Sequence, residues 1–188
     1  MNGTDLTLRT KELKGKKLDI AVKGTGSLYY FWQSEGISTS GVFKEEDNYL
    51  KVRKRFYDRF GRPISGTTFK QNELVIVELS LQKTFDTRID NVVITDMLPA
   101  GFEIENPRTK EIPGMDWIKG QSEPTAMDVR DDRINLFVNA SSEVQHYYYA
   151  VRAVSPGIYK MGPVSADAMY KGEYHSYNGA GTIRIINY

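Results

Sequence analysis

Hydrophobic and polar positions alternate along much of this chain with a period of two, the pattern of strands that bury one face. Leu18, Ile20 and Val22 alternate with Lys17, Asp19 and Lys23, and Val75, Val77, Leu79 and Leu81 share one face between Glu73 and Lys83. The pattern returns at Leu50, Val52 and Phe56, at Ile134, Leu136 and Val138, and at Ile183 and Ile185. From Asn91 to Met97 the run is β-branched on both faces, as a strand in the middle of a sheet would be. Tyr147, Tyr149 and Val151 alternate with His146, Tyr148 and Ala150, which sends Tyr148 to the opposite face from its two neighbours and makes at least one set core. No window yields an amphipathic helix longer than two turns.

Turn signals punctuate these runs at Asp58 to Pro63, Leu98-Pro99-Ala100-Gly101, Pro113-Gly114, Ser155-Pro156-Gly157 and Asn178-Gly179-Ala180-Gly181. Antiparallel strands joined this way build two packed sheets, so the fold class is all-β, an antiparallel β-sandwich of immunoglobulin-like architecture with at most one short helix. Between Glu35 and Asn48 the alternation breaks at Gly36, Ser38, Thr39, Ser40 and Gly41, ahead of the acidic group Glu45, Glu46 and Asp47. Upstream lie three strand-like runs, near 5 to 9, 17 to 23 and 27 to 33, and three strands are marginal alone. Residues 1–40 therefore read as strands of a neighbouring domain plus linker, and residues 42–188 as the sandwich. Met161 to Tyr177 is weak in strand periodicity, which predicts connecting loops that carry Met169, Tyr170 and Tyr174.

Composition narrows the function. The 25 basic residues against 24 acidic ones leave no field to hold a polyanion, so nucleic acid is not an expected partner. No stretch approaches the roughly 18 to 20 apolar residues of a membrane-spanning helix, and Met1-Asn2-Gly3-Thr4-Asp5 lacks the basic-then-apolar order of a secretory signal, as an excised fragment would. The absence of cysteine excludes disulfides, thiolate zinc sites, cysteine nucleophiles and thioesters within the chain. Twelve Tyr, eight Phe and two Trp suit narrow layers between sheets and broad contact surfaces.

Few residues invite a chemical reading. Arg130-Asp131-Asp132-Arg133 is the densest charge cluster beside an apolar strand, but adjacent carboxylates on a strand point apart, and the cluster reads as an ion-paired clamp where the strand starts, with a partner contact as the alternative. Asp96 precedes Leu98-Pro99-Ala100-Gly101 and is expected to fix that turn by accepting backbone N–H groups. His146 and His175 are the only histidines and lie in different segments, so no metal is expected, nor any cofactor. Tyr170 is read either as a contact residue or as buried under its own loop. Nothing pairs a nucleophile with a base and an orienting group, so the chain is not read as an enzyme.

Five stretches in order carry a family likeness: Val52 to Asp58, Asn91 to Pro107, Arg130 to Phe137, Tyr148 to Gly157 and Ala166 to Tyr170. From about Tyr49 to Ile186 the chain resembles the last macroglobulin-type domain of bacterial alpha-2-macroglobulins, and Gly26 to Trp32 looks like the final strands of the CUB-like domain that precedes it there. Members of that family are large, lipid-anchored periplasmic or cell-envelope protease traps that capture the attacking protease through a thioester of a cysteine and a glutamine in a separate domain. The resemblance implies a non-catalytic scaffold whose partners are the thioester and CUB-like domains of its parent and, through the parent, target proteases. It also implies that Ala168-Met169-Tyr170, with Tyr174, faces the thioester domain and helps shield it. The unpaired strands at the start leave room for a dimer of the isolated fragment. The alternative reading is a carbohydrate-binding or adhesin-type surface module using Trp117 and exposed tyrosines as a stacking platform.

Overall fold

The computed structural model describes residues 19–31, 43–105 and 115–187. The chain divides into two compact units, Met1–Ser40 and Gly41–Tyr188. In the first unit residues 19–31 form no strand, and Ile20, Val22, Leu28, Tyr29, Tyr30 and Phe31 are exposed. The strands that alternation predicts over 17–23 and 27–33 are thus absent from the described parts of both runs. Among the described residues this apolar stripe gains neither ladder hydrogen bonds nor burial to offset lost backbone entropy. The run near 5–9 and the Pro113-Gly114 turn lie outside the described residues.

The second unit is all strand and turn, with no helix among the described residues. In chain order its strands are β1 (Glu46–Asn48), β2 (Leu50–Asp58), β3 (Thr68–Lys70), β4 (Leu74–Lys83), β5 (Ile89–Met97), β6 (Phe102–Ile104) and β7 (Ala126–Val129). There follow β8 (Arg133–Ala140), β9 (Gln145–Ala153), β10 (Gly157–Met161), β11 (Val164–Ala168), β12 (His175–Asn178) and β13 (Gly181–Ile186). They form a six-stranded sheet in the order β1-β12-β11-β5-β8-β7, a four-stranded sheet β2-β4-β9-β6 and a three-stranded sheet β10-β13-β3. Every pairing is antiparallel except that of β13 with β3.

The period-two faces meet as the alternation requires. Val75, Val77, Leu79 and Leu81 of β4 and Tyr147, Tyr149 and Val151 of β9 are buried in one core with Val92 and Ile94 of β5 and Ile134, Leu136 and Val138 of β8. Each large aliphatic side chain so buried contributes about 1.5–3 kcal/mol. Phe69 of β3 stands edge-on to Phe56 at 5.3 Å and to Phe102 at 5.1 Å, which joins the three-stranded sheet to the four-stranded one.

Met161 to Tyr177 departs from the loop expected there, because it contains β11 and β12. Their inward positions are Val164, Ala166, Ala168 and Ser176, all buried. Small side chains fill a narrow layer without the large apolar alternation that marks a strand in sequence.

One edge of the sandwich is sewn shut. The chain passes from β1 in one sheet to β2 in the other through Tyr49, at φ 61°. Beside it the buried Ser176 Oγ accepts from Val52 N at 2.9 Å and donates to Asp47 Oδ1 at 2.7 Å. Arg53 binds the same carboxylate at 2.6 Å, and with the Ser176 hydroxyl it holds Asp47 below the usual carboxylate range.

Candidate contact site and the polar interior

The β11–β12 turn is fixed by its own backbone. Ala168 N donates to Tyr174 O at 2.9 Å, Tyr174 N to Lys171 O at 2.9 Å, and Met169 N to Asn91 O at 2.9 Å. Asn91 itself sits at φ 54° in a β-bulge of β5, with its amide donating to Asn139 Oδ1 at 3.1 Å. The turn is therefore a rigid projection, and its two large residues point away from the core: Met169 is 51% exposed and Tyr170 80% exposed. Of the two readings left open for Tyr170, burial under its own loop does not occur.

Tyr174 behaves differently from its two candidate companions. It is half-buried, its ring 4.8 Å from that of Tyr49, with Lys171 Nζ 5.3 Å from its centroid. It braces the turn and offers little free surface. Tyr49 continues to Phe85, 5.6 Å away and 62% exposed, so an aromatic row runs across this end of the sandwich to the β4–β5 loop. Tyr49 and Phe85 are not singled out by the sequence. The one signal was a lone Phe in the polar run Thr84-Phe85-Asp86-Thr87.

Asp96 is placed otherwise than its position before a turn suggests. Its side chain points between the sheets, where Oδ1 meets Lys54 Nζ at 2.7 Å and Oδ2 accepts from the Tyr149 hydroxyl at 2.7 Å. The Lys54 and Asp96 side chains are only 4% and 1% exposed. Burial, with the adjacent Asp96 charge, pushes the Tyr149 phenol well above its ordinary value of 10. The following turn is held instead by backbone, with Leu98 N donating to Asp132 O and Phe102 N to Pro99 O, both at 2.9 Å. Gly101 is required there because a Cβ would meet the Tyr159 ring and, at 2.6 Å, Ile185 Cδ1. An acid on the inward face of β5 serves the opposite sheet, since a period-two position fixes the face that a side chain occupies.

Arg130, Asp131, Asp132 and Arg133 form the tip of the β7–β8 hairpin, closed by Arg130 N donating to Arg133 O at 2.9 Å. Arg133 pairs with Asp132 at 2.6 Å and Arg130 with Asp128 at 2.9 Å, all in solvent. The neighbouring guanidiniums hold the Asp132 and Asp128 carboxyls below the usual range. The clamp supplied by this cluster is thus the Asp132 carbonyl, and its charges are surface ion pairs.

A second buried acid, Glu78, lies on the outer face of β4. It accepts from the Tyr57 hydroxyl at 2.8 Å and contacts His146 Nδ1 at 2.6 Å. Trp117 covers this patch, 5.4 Å from the Tyr57 ring and 5.9 Å from the Tyr148 ring, while Ser122 N donates to His146 O at 2.7 Å. Burial and the Glu78 charge raise Tyr148 to about 12. Trp117 packs its half-buried ring against the chain's own tyrosines, which uses part of the surface that the carbohydrate alternative needs. No group of three or more potential metal ligands occurs among the described residues.

Comparison with known proteins gives one consistent result. The family model described as the bacterial alpha-2-macroglobulin MG10 domain matches residues 50–173. The alpha-2-macroglobulin of Rickettsia conorii is 25% identical over 98% of this chain, and that of Xylella fastidiosa 29% identical over 79%. The chain spans about 10% of the length of each. Among solved structures, native Escherichia coli alpha-2-macroglobulin from domain MG7 to the C-terminus superposes with a TM-score of 0.69, at 21% identity, over 77% of this chain and 24% of that one. Salmonella alpha-2-macroglobulin reacted with methylamine gives 0.69 at 23% identity, over 78% of this chain and 10% of that one. At these identities the superpositions establish the fold.

Proposed function

Since the chain belongs to the bacterial alpha-2-macroglobulin MG10 domain family, we propose that it is the scaffold of a protease-inhibiting parent, packing on the parent's thioester domain and shielding the thioester. The observation that carries this reading is the Met169–Tyr170 pair, two large side chains held in solvent by a turn whose backbone is tied at Ala168, Met169, Lys171 and Tyr174. A rigid, exposed, amphipathic tip is suited to burying a reactive bond against water, because an aromatic ring excludes solvent at little entropic loss.

Residues 42–188 make up the terminal macroglobulin-type domain in this reading. Residues 1–40 supply strands to the preceding CUB-like domain, whose sheet would cover the apolar stripe now open at Ile20, Val22, Leu28 and Tyr29 to Phe31. The parent acts in the periplasm or cell envelope through a lipid anchor, and proteases reach this chain only as targets of that parent. Left alone, the fragment is free to dimerise through the same stripe. Size-exclusion chromatography with light scattering reads that state, and a strict monomer removes this clause.

The test of the shielding role is made in the parent protein. Tyr170→Ala should make the thioester react several-fold faster with methylamine before any proteolysis, at an unchanged melting temperature. An unchanged rate removes the shielding role.

A further inference from the structure

We infer that Lys54 and Asp96 form a self-modifying pair that condenses to an intramolecular isopeptide bond, stapling β2 to β5 through the interior of the sandwich. The reacting groups are already together. Lys54 Nζ stands 2.7 Å from Asp96 Oδ1, and a nitrogen in that contact is close to the about 3–3.5 Å near-attack separation from a carboxyl carbon.

The surroundings favour the neutral product. Both side chains are almost fully buried, walled by Phe56, Val77, Leu98 and Phe102, and the adjoining cavity of about 10 Å³ sits at the lower limit for one water. A medium that penalises each ion favours an uncharged amide over the ion pair. Condensation then removes both buried charges for good, and the scarcity of water opposes the reverse hydrolysis.

Tyr149 supplies the third element. Its hydroxyl donates to Oδ2, the oxygen on which negative charge develops when the amine attacks, and burial keeps that phenol protonated. In the step, Nζ bonds to Cγ and the Cγ–Oδ1 bond breaks. Oδ1 departs as water, carrying the proton first passed from Nζ and a second released from Nζ as the tetrahedral intermediate collapses. Oδ2 becomes the amide oxygen and still accepts from Tyr149. One water is lost, and no oxidant, reductant or co-reactant is consumed.

The two residues are 42 apart in sequence, so the bond closes a loop that includes β3 and β4 and restricts the unfolded chain as any cross-link does. The staple acts on the scaffold itself and holds whatever this domain docks against.

Intact-mass measurement of the full chain after denaturation is the direct test. The unmodified sequence is expected to weigh less than its calculated mass by one water, and tandem fragmentation should recover a branched peptide joining the Lys54 and Asp96 segments. Lys54→Ala and Asp96→Ala should each restore the calculated mass, and Tyr149→Phe should slow the appearance of the bond at least tenfold. A folded wild-type chain that keeps its full calculated mass after prolonged incubation overturns the proposal without recourse to any variant. A bond that forms equally fast in Tyr149→Phe overturns the part assigned to that hydroxyl.

Discussion

Two regions of this molecule hold large side chains for opposite reasons. Between the sheets, Lys54, Asp96 and Tyr149 are closed off from water and satisfy one another across three strands. At the β11–β12 turn, Met169 and Tyr170 stand largely in water, although backbone hydrogen bonds from Ala168, Met169, Lys171 and Tyr174 hold the turn beneath them. The contrast separates what keeps the domain folded from what it presents. A buried polar set does not by itself add much stability, because desolvation consumes most of the attraction. It does fix which residue of β2 faces which residue of β5, since any other register strands a charge.

Removing one partner of the interior set gives the largest expected effect. Asp96→Ala takes away the partner of Lys54 in the ion-paired and the condensed form alike, leaves the ammonium buried and unpaired, and should lower the unfolding free energy by at least about 3–5 kcal/mol in denaturant titrations. A loss below about 1 kcal/mol would dissolve the contrast, because the site would then tolerate a lone charge as the surface does.

Tyr149→Phe is milder and carries a pH signature. It removes the donor to the buried Asp96 Oδ2, an oxygen that accepts from it in the ion pair and in the amide alike, with an expected loss of about 1–3 kcal/mol at neutral pH. The folded phenol titrates well above 10 while the unfolded one titrates near 10, so the folded state retains the proton that the unfolded state gives up. The corresponding stability is complete below pH 10 and falls as pH rises past it. Tyr147, Tyr148 and Tyr177, each raised to about 12 chiefly by burial, add to the same alkaline slope. Melting curves between pH 9 and 11 should therefore fall less steeply for Tyr149→Phe than for the wild-type chain, and parallel curves would contradict the burial of this hydroxyl.

The turn should give the smallest effect on folding. Tyr170→Ala is expected to change the unfolding free energy by no more than about 0.5 kcal/mol, since the ring has no packing to lose. Melting of the isolated chain checks this, and a larger drop would show that the tip supports the sandwich.

Sequence made the interior strands legible and the site only partly so. β4, β8 and β9 each carry a large-apolar face, β2 one interrupted only by Lys54, and β5 a β-branched run, so period two exposes them. β1 is acidic, and β11 and β12 bury Ala166, Ala168 and Ser176, so their alternation is one of size and shape and escapes a hydrophobic reading. Lys54 was hidden by its neighbours: in Val52-Arg53-Lys54-Arg55 nothing distinguishes the inward cation from the outward ones except parity with Leu50 and Val52. Parity likewise puts Asp96 on the face of Val92 and Ile94, but its partners lie 42 and 53 residues away, beyond the reach of local pattern. Residues 19–31 mark the converse case, in which alternating positions form no strand among the described residues and stay exposed.

Oxidative footprinting of Met169 and Tyr170 in the isolated chain and in the intact parent tests the central claim most directly. The scaffold account predicts ready modification of both side chains in the isolated chain and strong protection in the unreacted parent, with Tyr149 protected in both. Equal modification of Met169 and Tyr170 in the two proteins would contradict it.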